Sequence, residues 1–163
     1  DVLDHVLWVN ANEFTPTDEA AIPTGEFRAV QGTPFCFTSP KPLGQDINVE
    51  NEQLTFGSGY DHNFIVNGAP GKLNLAAKLS EPQSGRVMEV YTTEPGLQVY
   101  TANSLTGKGT DIGKGDKAYG PRSAVCLETQ HFPDSPHHPN FPTTTLNPGE
   151  EYQSTTLYRF STE

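Results

Sequence analysis

The segment LNLAAKLSEPQSGRVMEVYTTEPGLQVYT, residues 73–101, decides the fold class because it holds three strand signals in a row. Apolar side chains occupy every second position of its first part, which is the period of a strand with one buried face. These alternating residues are Leu73, Leu75, Ala77 and Leu79. The turn sequences Ser84-Gly85 and Pro95-Gly96 separate that part from two more strand-like segments, 86–92 and 97–101. The segment therefore predicts consecutive antiparallel strands joined by turns.

Strand signals recur in the rest of the chain, in the runs 2–9, 26–30, 124–130 and 152–160. The last run predicts a long strand with one shared face, formed by Tyr152, Ser154, Thr156, Tyr158 and Phe160. The 15 glycines and 14 prolines spread along the chain favour short segments over long helices. Only a short helical turn near 40–44 is expected. The prediction is an all-β protein, a sandwich of antiparallel sheets with little helix.

Two segments do not fit strands. Residues 104–122 contain five glycines and few large apolar side chains, so a long surface loop is expected there. Its Gly113-Lys114 pair is followed by Gly115 where a phosphate-binding P-loop needs Ser or Thr, which excludes that function. Residues 130–148 carry five prolines, which remove backbone donors and rule out a long strand or helix.

The charge balance narrows the range of partners. Acidic residues outnumber basic ones 20 to 10, and a formal charge of -10 repels phosphate backbones and anionic lipid surfaces. Neither a secretory leader nor an apolar run long enough for a transmembrane helix is recognisable. We therefore expect no nucleic-acid partner, no membrane contact and a cytoplasmic location. Cys36 and Cys126 make no disulfide framework and are predicted to be reduced thiols.

The proline-rich segment also holds a cluster of potential metal ligands: His131, Asp134, His137 and His138. Their spacing matches no standard zinc motif, and the prolines between them set the side-chain directions. A hydrogen-bonded or exposed loop cluster is therefore predicted, and neither a metal nor a cofactor is expected.

Glu128 is the leading candidate for a catalytic group on the residues alone. Strict alternation places it on one strand face with Ala124, Cys126 and Gln130, and the residues just before it, 125–127, are apolar. Because of these apolar neighbours, we expect the Glu128 carboxylate to be partly desolvated. A carboxylate with little water around it is suited to act as a general base. The alternative is an exposed or ion-paired glutamate at a strand end.

Asp61 is a candidate for ligand recognition. It follows Gly59-Tyr60. A carboxylate beside an aromatic ring suits a sugar, because the carboxylate can bind the sugar's hydroxyl groups and the ring can cover its apolar face. The alternative is an Asx-turn that closes a loop.

Three ordered segments resemble the aldose 1-epimerase family: GYDHNF at 59–64, TEPGLQVYT at 93–101 and CLETQHFPD at 126–134. Shorter matches extend the resemblance over essentially the whole chain. They are IPTGE at 22–26, GTPF at 32–35 and LNPGE at 146–150. Cys36 follows GTPF where the family usually has Asp.

The resemblance implies that residues 1–163 form the C-terminal half of a β-supersandwich, as one portion of a single domain. It also implies an isomerase that interconverts the anomers of a free aldose, such as galactose or glucose, by acid–base ring opening. By their motif positions, Glu128 would be the general base, and Asp61 and Gln98 would bind the sugar. The family's acid is a histidine upstream of the matching region, so an N-terminal fragment of the same protein is the expected partner.

Two other functions stay open. A glycoside hydrolase would use Asp61 and Glu128 as its two carboxylates and would cleave a disaccharide. A carbohydrate-binding β-sandwich would hold a sugar and leave it chemically unchanged.

Overall fold

The computed structural model describes the whole chain, residues 1–163, and contains ten strands, one short helix and three 3₁₀ turns. The strands are β1 Val6–Val9, β2 Ala11–Thr15, β3 Arg28–Ala29, β4 Lys41–Pro42, β5 Asp61–Val66, β6 Asn74–Glu81, β7 Arg86–Thr92, β8 Gly96–Tyr100, β9 Cys126–Gln130 and β10 Thr156–Thr162. The helix α1 spans Glu52–Phe56. The 3₁₀ turns lie at Gly109–Asp111, Lys114–Asp116 and Ser135–His137. The predicted all-β class with little helix is confirmed.

The strands form two five-stranded sheets with the orders β10-β7-β6-β1-β4 and β3-β2-β5-β8-β9. Every pair of neighbouring strands is antiparallel. The β6–β7 hairpin turns where the sequence predicts, and Gly85 there adopts a φ of 69° that glycine tolerates without strain. The strands β10 and β9 each form one edge of their sheet.

The core is a single cluster of 20 buried apolar residues drawn from both sheets and the loops between them. Its centre is aromatic: the rings of Phe14 and Phe35 stack with their centroids 4.5 Å apart, and Tyr60 meets Phe35 edge to face. Burying each such side chain stabilises the fold by about 1.5–3 kcal/mol relative to leaving it exposed. The inward side chains of β5 and β8 belong to this cluster. Their packing holds the two strands in place, and with them the side chains on the outer face of the same sheet.

The alternation predicted for β6 is interrupted. The register shifts between Leu75 and Ala77, and Ala76 and Ala77 are both buried. Leu73 precedes the strand and is 48% exposed, so its predicted place on the buried face is wrong. A β-bulge inserts one residue into a strand, and it therefore reverses the inward and outward positions on either side of it.

The predicted helical turn near 40–44 is wrong, because Lys41–Pro42 pairs with β1 as a short strand. The helix lies at Glu52–Phe56 instead, where Asn51 accepts hydrogen bonds from the backbone N–H groups of Gln53 and Leu54. Five residues are too few to show a helical period, so the cap was the only available signal.

The last strand begins later than predicted, at Thr156, which leaves Tyr152 and Ser154 outside it. Every residue of β10 is exposed, with Phe160 72% exposed. Its N–H and C=O groups pair with β7 on one side only. Residues 104–122 form the expected irregular segment, interrupted by two 3₁₀ turns. No helix of the protein is both long and apolar enough to cross a lipid bilayer.

Candidate functional site

A polar hollow of about 420 Å³ opens on the second sheet, over strands β5, β8 and β9. The side chains that matter for its chemistry are Asp61, Gln98, Tyr100, Asn103, Glu128 and Gln130. Only one of its lining residues is hydrophobic. A hollow lined in this way suits a ligand that carries many hydroxyl groups.

The register of three strands brings the predicted residues together. Gln98 pairs with Glu128 across β8 and β9, and Asp61 pairs with Tyr100 across β5 and β8. Side chains alternate between faces along a strand, and the intervening residues Leu97, Val99 and Leu127 are buried in the core. The opposite face therefore presents the carboxylates and the amide to one space.

Asp61 is held by Gln98, whose Nε2 donates a hydrogen bond to Asp61 Oδ1 over 2.8 Å. Asp61 is the first residue of β5, and its side chain closes no Asx-turn. The aromatic neighbour expected to cover a sugar face does not serve that purpose. Tyr60 is fully buried, and its hydroxyl donates to the Pro34 carbonyl. The ring that lines the hollow belongs to Tyr100 instead.

Glu128 lies on β9 with its residue exposed, and its carboxylate makes no hydrogen bond or ion pair with the protein. The expected desolvation is therefore wrong for this chain, because Glu128 points to the outer face of its sheet, away from the core that buries Leu127. Burial, followed by the charges of Glu128 and Asp61, raises the pKa of the Cys126 thiol above its ordinary value. The two carboxylates thus create a negative field in the same region.

The rim of the hollow depends on two residues that sequence reasoning missed. Asn103 donates to the carbonyls of Gly57 and Tyr60, and Arg122 donates to Asn103 and to the Ser58 carbonyl. Gly59 lies directly beneath the guanidinium, where any side chain would collide with it. Neither residue belongs to a recognisable motif, because their partners lie 19 to 64 positions away in the sequence.

A second carboxylate, Glu94, lies two residues before β8 and lines a separate cavity of about 970 Å³. It is buried, its Oε2 lies 2.6 Å from His131 Nδ1, and the Tyr152 hydroxyl donates to it. Burial raises the pKa of Glu94. Hydrogen bonds from Ser154 and Tyr152 and the charge of His131 lower it by more, so the net pKa lies below the ordinary value for a glutamate.

The remaining histidines of the proline-rich segment are also hydrogen-bonded. His137 pairs with Asp134, and His138 Nε2 contacts both Asp134 and the Pro23 carbonyl. No three His, Cys, Asp or Glu side chains are arranged to hold a metal ion. The predicted hydrogen-bonded loop cluster is what the structure contains.

Comparison with known proteins gives one consistent result. The family model for aldose 1-epimerase matches residues 1–159. The galactose mutarotase of Bos taurus is 44% identical over 161 residues, which is 99% of this chain and 45% of that protein. The aldose 1-epimerase of Escherichia coli (strain K12) is 36% identical over 165 residues, covering 100% of this chain and 46% of that protein.

Solved structures agree. A galactose 1-epimerase from Lactobacillus acidophilus superposes with a TM-score of 0.83 at 29% identity, over 99% of this chain and 45% of that one. A GalM/aldose epimerase homologue from C. elegans gives the same TM-score at 25% identity, over 99% of this chain and 46% of that one. This chain spans about half the length of the curated relatives that it matches. From the matched sequence and the shared fold, we conclude that the chain belongs to the aldose 1-epimerase family.

Proposed function

We propose that this chain carries the base-bearing part of an aldose 1-epimerase, which interconverts the α and β anomers of free aldoses such as galactose and glucose. One observation carries the proposal: Asp61, Gln98 and Glu128 line a single polar hollow. In it a hydrogen-bonded pair can hold sugar hydroxyls while a carboxylate without protein partners faces the ligand.

In the proposed reaction, Glu128 takes the proton of the C1 hydroxyl. The bond between C1 and the ring oxygen breaks, C1 becomes an aldehyde carbon, and the ring oxygen receives a proton from an acid. Rotation about the C1–C2 bond presents the other face of the carbonyl. Reversal of both proton transfers then closes the ring as the second anomer, and no atom is gained or lost.

The acid of this reaction is proposed to come from the N-terminal portion that the relatives carry and this chain does not span. None of the residues lining the hollow is a histidine. Two histidines are adjacent in sequence to lining residues, but His62 is buried in the core and His131 lines the other cavity, bound to Glu94. A missing acid would lower the rate of the chain alone by about 10²–10⁴.

The large accessible surface area of the chain favours a partner that docks at the open sheet edges. Its accessible area is 9160 Å² for 17.8 kDa. A compact monomer of this mass exposes about 8,000 Å², so roughly 1,000 Å² is in excess, which is the scale of one side of a stable interface. The edge strand β10 exposes three large apolar side chains, Leu157, Tyr158 and Phe160. We propose that the N-terminal portion covers this edge.

The open edges of the two sheets also lie side by side. The Tyr158 hydroxyl on β10 donates to the carbonyl of Leu127 on β9, and the hydroxyls of Thr129 and Thr156 are 2.6 Å apart. A portion that docks on β10 would therefore reach the strand that carries Glu128. That proximity supports an acid supplied from the docked portion.

Polarimetry tests the proposed function. Fresh α-glucose and α-galactose are followed with the chain alone, with the chain and the N-terminal portion together, and with Glu128→Gln. Glu50→Gln is the matched control, because Glu50 is exposed and makes no side-chain contact. Accelerated mutarotation that Glu128→Gln abolishes and Glu50→Gln preserves is the expected result. Sugar binding without acceleration would indicate a binding module, and cleavage of a disaccharide would indicate a hydrolase.

A cytoplasmic location stays a prediction, to be tested by cell fractionation.

A further inference from the structure

Three side-chain amides form a chain of hydrogen bonds across the floor of the hollow. Gln130 Nε2 donates to Gln98 Oε1 over 3.0 Å and to Asn63 Oδ1 over 3.2 Å. Gln98 Nε2 donates in turn to Asp61 Oδ1. The chain of amides therefore runs from β9 to β8 and β5 and ends on the carboxylate that is proposed to bind the sugar.

The direction of these bonds is fixed from one end. A carboxylate accepts hydrogen bonds and does not donate them, so Gln98 must turn its NH₂ group towards Asp61. Its carbonyl oxygen then faces Gln130 and requires a donor there. Gln130 can meet that requirement only with its own NH₂ group, which leaves its oxygen free. Each amide thus has one orientation that satisfies its neighbours.

The other end is anchored in the core. Asn63 is 2% exposed and donates to the hydroxyl of Thr15, which is 1% exposed. Reversing the Asn63 amide there would leave buried polar atoms without partners, at a cost of about 1–3 kcal/mol. Gly96 lies beside this point, and any side chain at position 96 would collide with the Asn63 amide oxygen. The lack of a side chain at Gly96 gives the amides room to meet.

We propose that Gln130 is a positioning residue of this site: through Gln98 it fixes which hydrogen-bonding groups the hollow shows to its ligand. This inference rests on the proposed function. Of the two glutamine amides, only Gln98 keeps an N–H for the ligand, and the hydroxyls of Ser58, Tyr100 and Ser104 can donate or accept. The free oxygens of Asp61, Glu128 and Gln130 are all acceptors. The amides and carboxylates of the hollow thus offer more acceptors than donors, which suits a ligand whose hydroxyls donate several hydrogen bonds, as those of a free sugar can.

Two variants of Gln130 separate polarity from packing. Gln130→Glu keeps the shape but places acceptor oxygens against the acceptors of Gln98 and Asn63, so Gln98 has to face two acceptors at once. Gln130→Met removes the donor and adds no repulsion. If Gln130 acts by orienting the Gln98 amide, Gln130→Glu should be the more damaging change. If Gln130 acts only by filling space, Gln130→Met should be the more damaging one. Gln153→Glu is the charge-matched control, because Gln153 is exposed, lies outside the hollow, and its side chain hydrogen-bonds only to Glu151.

The first measurement follows hydrogen exchange of the Gln98 side-chain NH₂ group by NMR in the isotope-labelled chain, without any sugar. We expect exchange about tenfold faster in Gln130→Glu and unchanged in Gln153→Glu. Gly96→Ala should accelerate it as well, by displacing Asn63. Unchanged Gln98 exchange in Gln130→Glu overturns the inference.

The second measurement is mutarotation kinetics with galactose, using the chain together with the N-terminal portion. We expect KM to rise about tenfold in Gln130→Glu and about threefold in Gln130→Met, with kcat within about threefold of wild type. An unchanged KM in Gln130→Glu, or a larger effect in Gln130→Met, overturns the inference. A wild-type protein that neither binds nor turns over an aldose refutes the proposed function instead. Faster Gln98 exchange in Gln130→Glu would then still establish that Gln130 positions Gln98.

Discussion

Glu128, on β9, and Glu94, just before β8, line two separate cavities, and their carboxylates are held in opposite ways. Glu128 is exposed in a polar hollow and makes no hydrogen bond or ion pair with another side chain. Glu94 is 6% exposed and is bound by Tyr152 and His131. A carboxylate can take a proton from a ligand only if the ligand reaches its oxygens. Glu94 has the shifted pKa that often marks a functional group, and its contacts explain that shift as structural.

The largest expected effect comes from replacing Glu128. Glu128→Gln should lower the rate of mutarotation by about 10²–10⁴, because the amide cannot take the C1 proton. Its urea unfolding midpoint should stay at the wild-type value, because no contact is lost. Polarimetry and denaturation of the same preparation measure the two quantities. A variant that loses stability together with activity would contradict the assignment of Glu128 as a free base.

The next effect concerns His62, which lies in the core behind Asp61. Burial lowers its pKa from 6.5 to about 4, and its Nδ1 accepts a hydrogen bond from the Asp61 backbone N–H. The unfolded chain therefore binds a proton that the folded chain refuses, so stability falls as the pH drops from 6.5 towards 4. The loss is of the order of 3 kcal/mol.

Urea unfolding at pH 7 and at pH 4.5 measures that slope. His62→Asn should flatten it, whatever the variant does to stability at neutral pH. His137→Asn is the control, since its imidazole is largely exposed. An equally steep slope in wild type and His62→Asn would show that another group causes the acid sensitivity.

Replacing Glu94 should have the opposite effects to replacing Glu128: stability should fall and activity should be retained. Glu94→Gln should lower the free energy of unfolding by about 1–3 kcal/mol at neutral pH, because a neutral amide replaces the charged acceptor of two hydrogen bonds. The lowered pKa of Glu94 means that its contribution is present above about pH 4.5 and is lost as the pH falls below that value. Mutarotation by the folded fraction should be retained. A rate loss as large as that of Glu128→Gln would abolish the distinction between the two residues.

The smallest expected effect is that of Tyr152→Phe, which removes one hydrogen bond to Glu94. The ring is 59% exposed, so water can take the place of the lost hydroxyl. We expect a loss of about 1 kcal/mol or less, measured by urea denaturation. If Tyr152→Phe destabilises the protein as much as Glu94→Gln does, the phenol, and not the carboxylate, holds this cluster together.

The sequence predicted the fold better than it predicted the surroundings of the site. Alternation and turn residues identified β7, β8 and β9, because those signals are local. It missed β5, where Asp61, His62 and Asn63 interrupt the apolar pattern although His62 and Asn63 are buried. A buried polar residue becomes recognisable only through partners that are distant in sequence.

The candidate site shows the same limit. Alternation correctly placed Glu128 on one face with Cys126 and Gln130, but it could not show that β9 is an edge strand and that Glu128 is exposed. Gln98 was identified by its motif position alone. Its contacts with Asp61 and Gln130 span more than thirty residues of sequence and depend on strand register. The roles assigned to these residues stay predictions until they are tested.

Equilibrium exchange of galactose anomers, followed by magnetisation transfer between the α and β anomeric protons, tests the central claim most directly. The chain is measured with its N-terminal portion, with wild type and Glu128→Gln side by side. We expect exchange well above the spontaneous rate for wild type and a fall to near that rate for Glu128→Gln. Exchange that stays fast in Glu128→Gln would contradict it, and so would a wild-type protein that binds galactose without accelerating exchange.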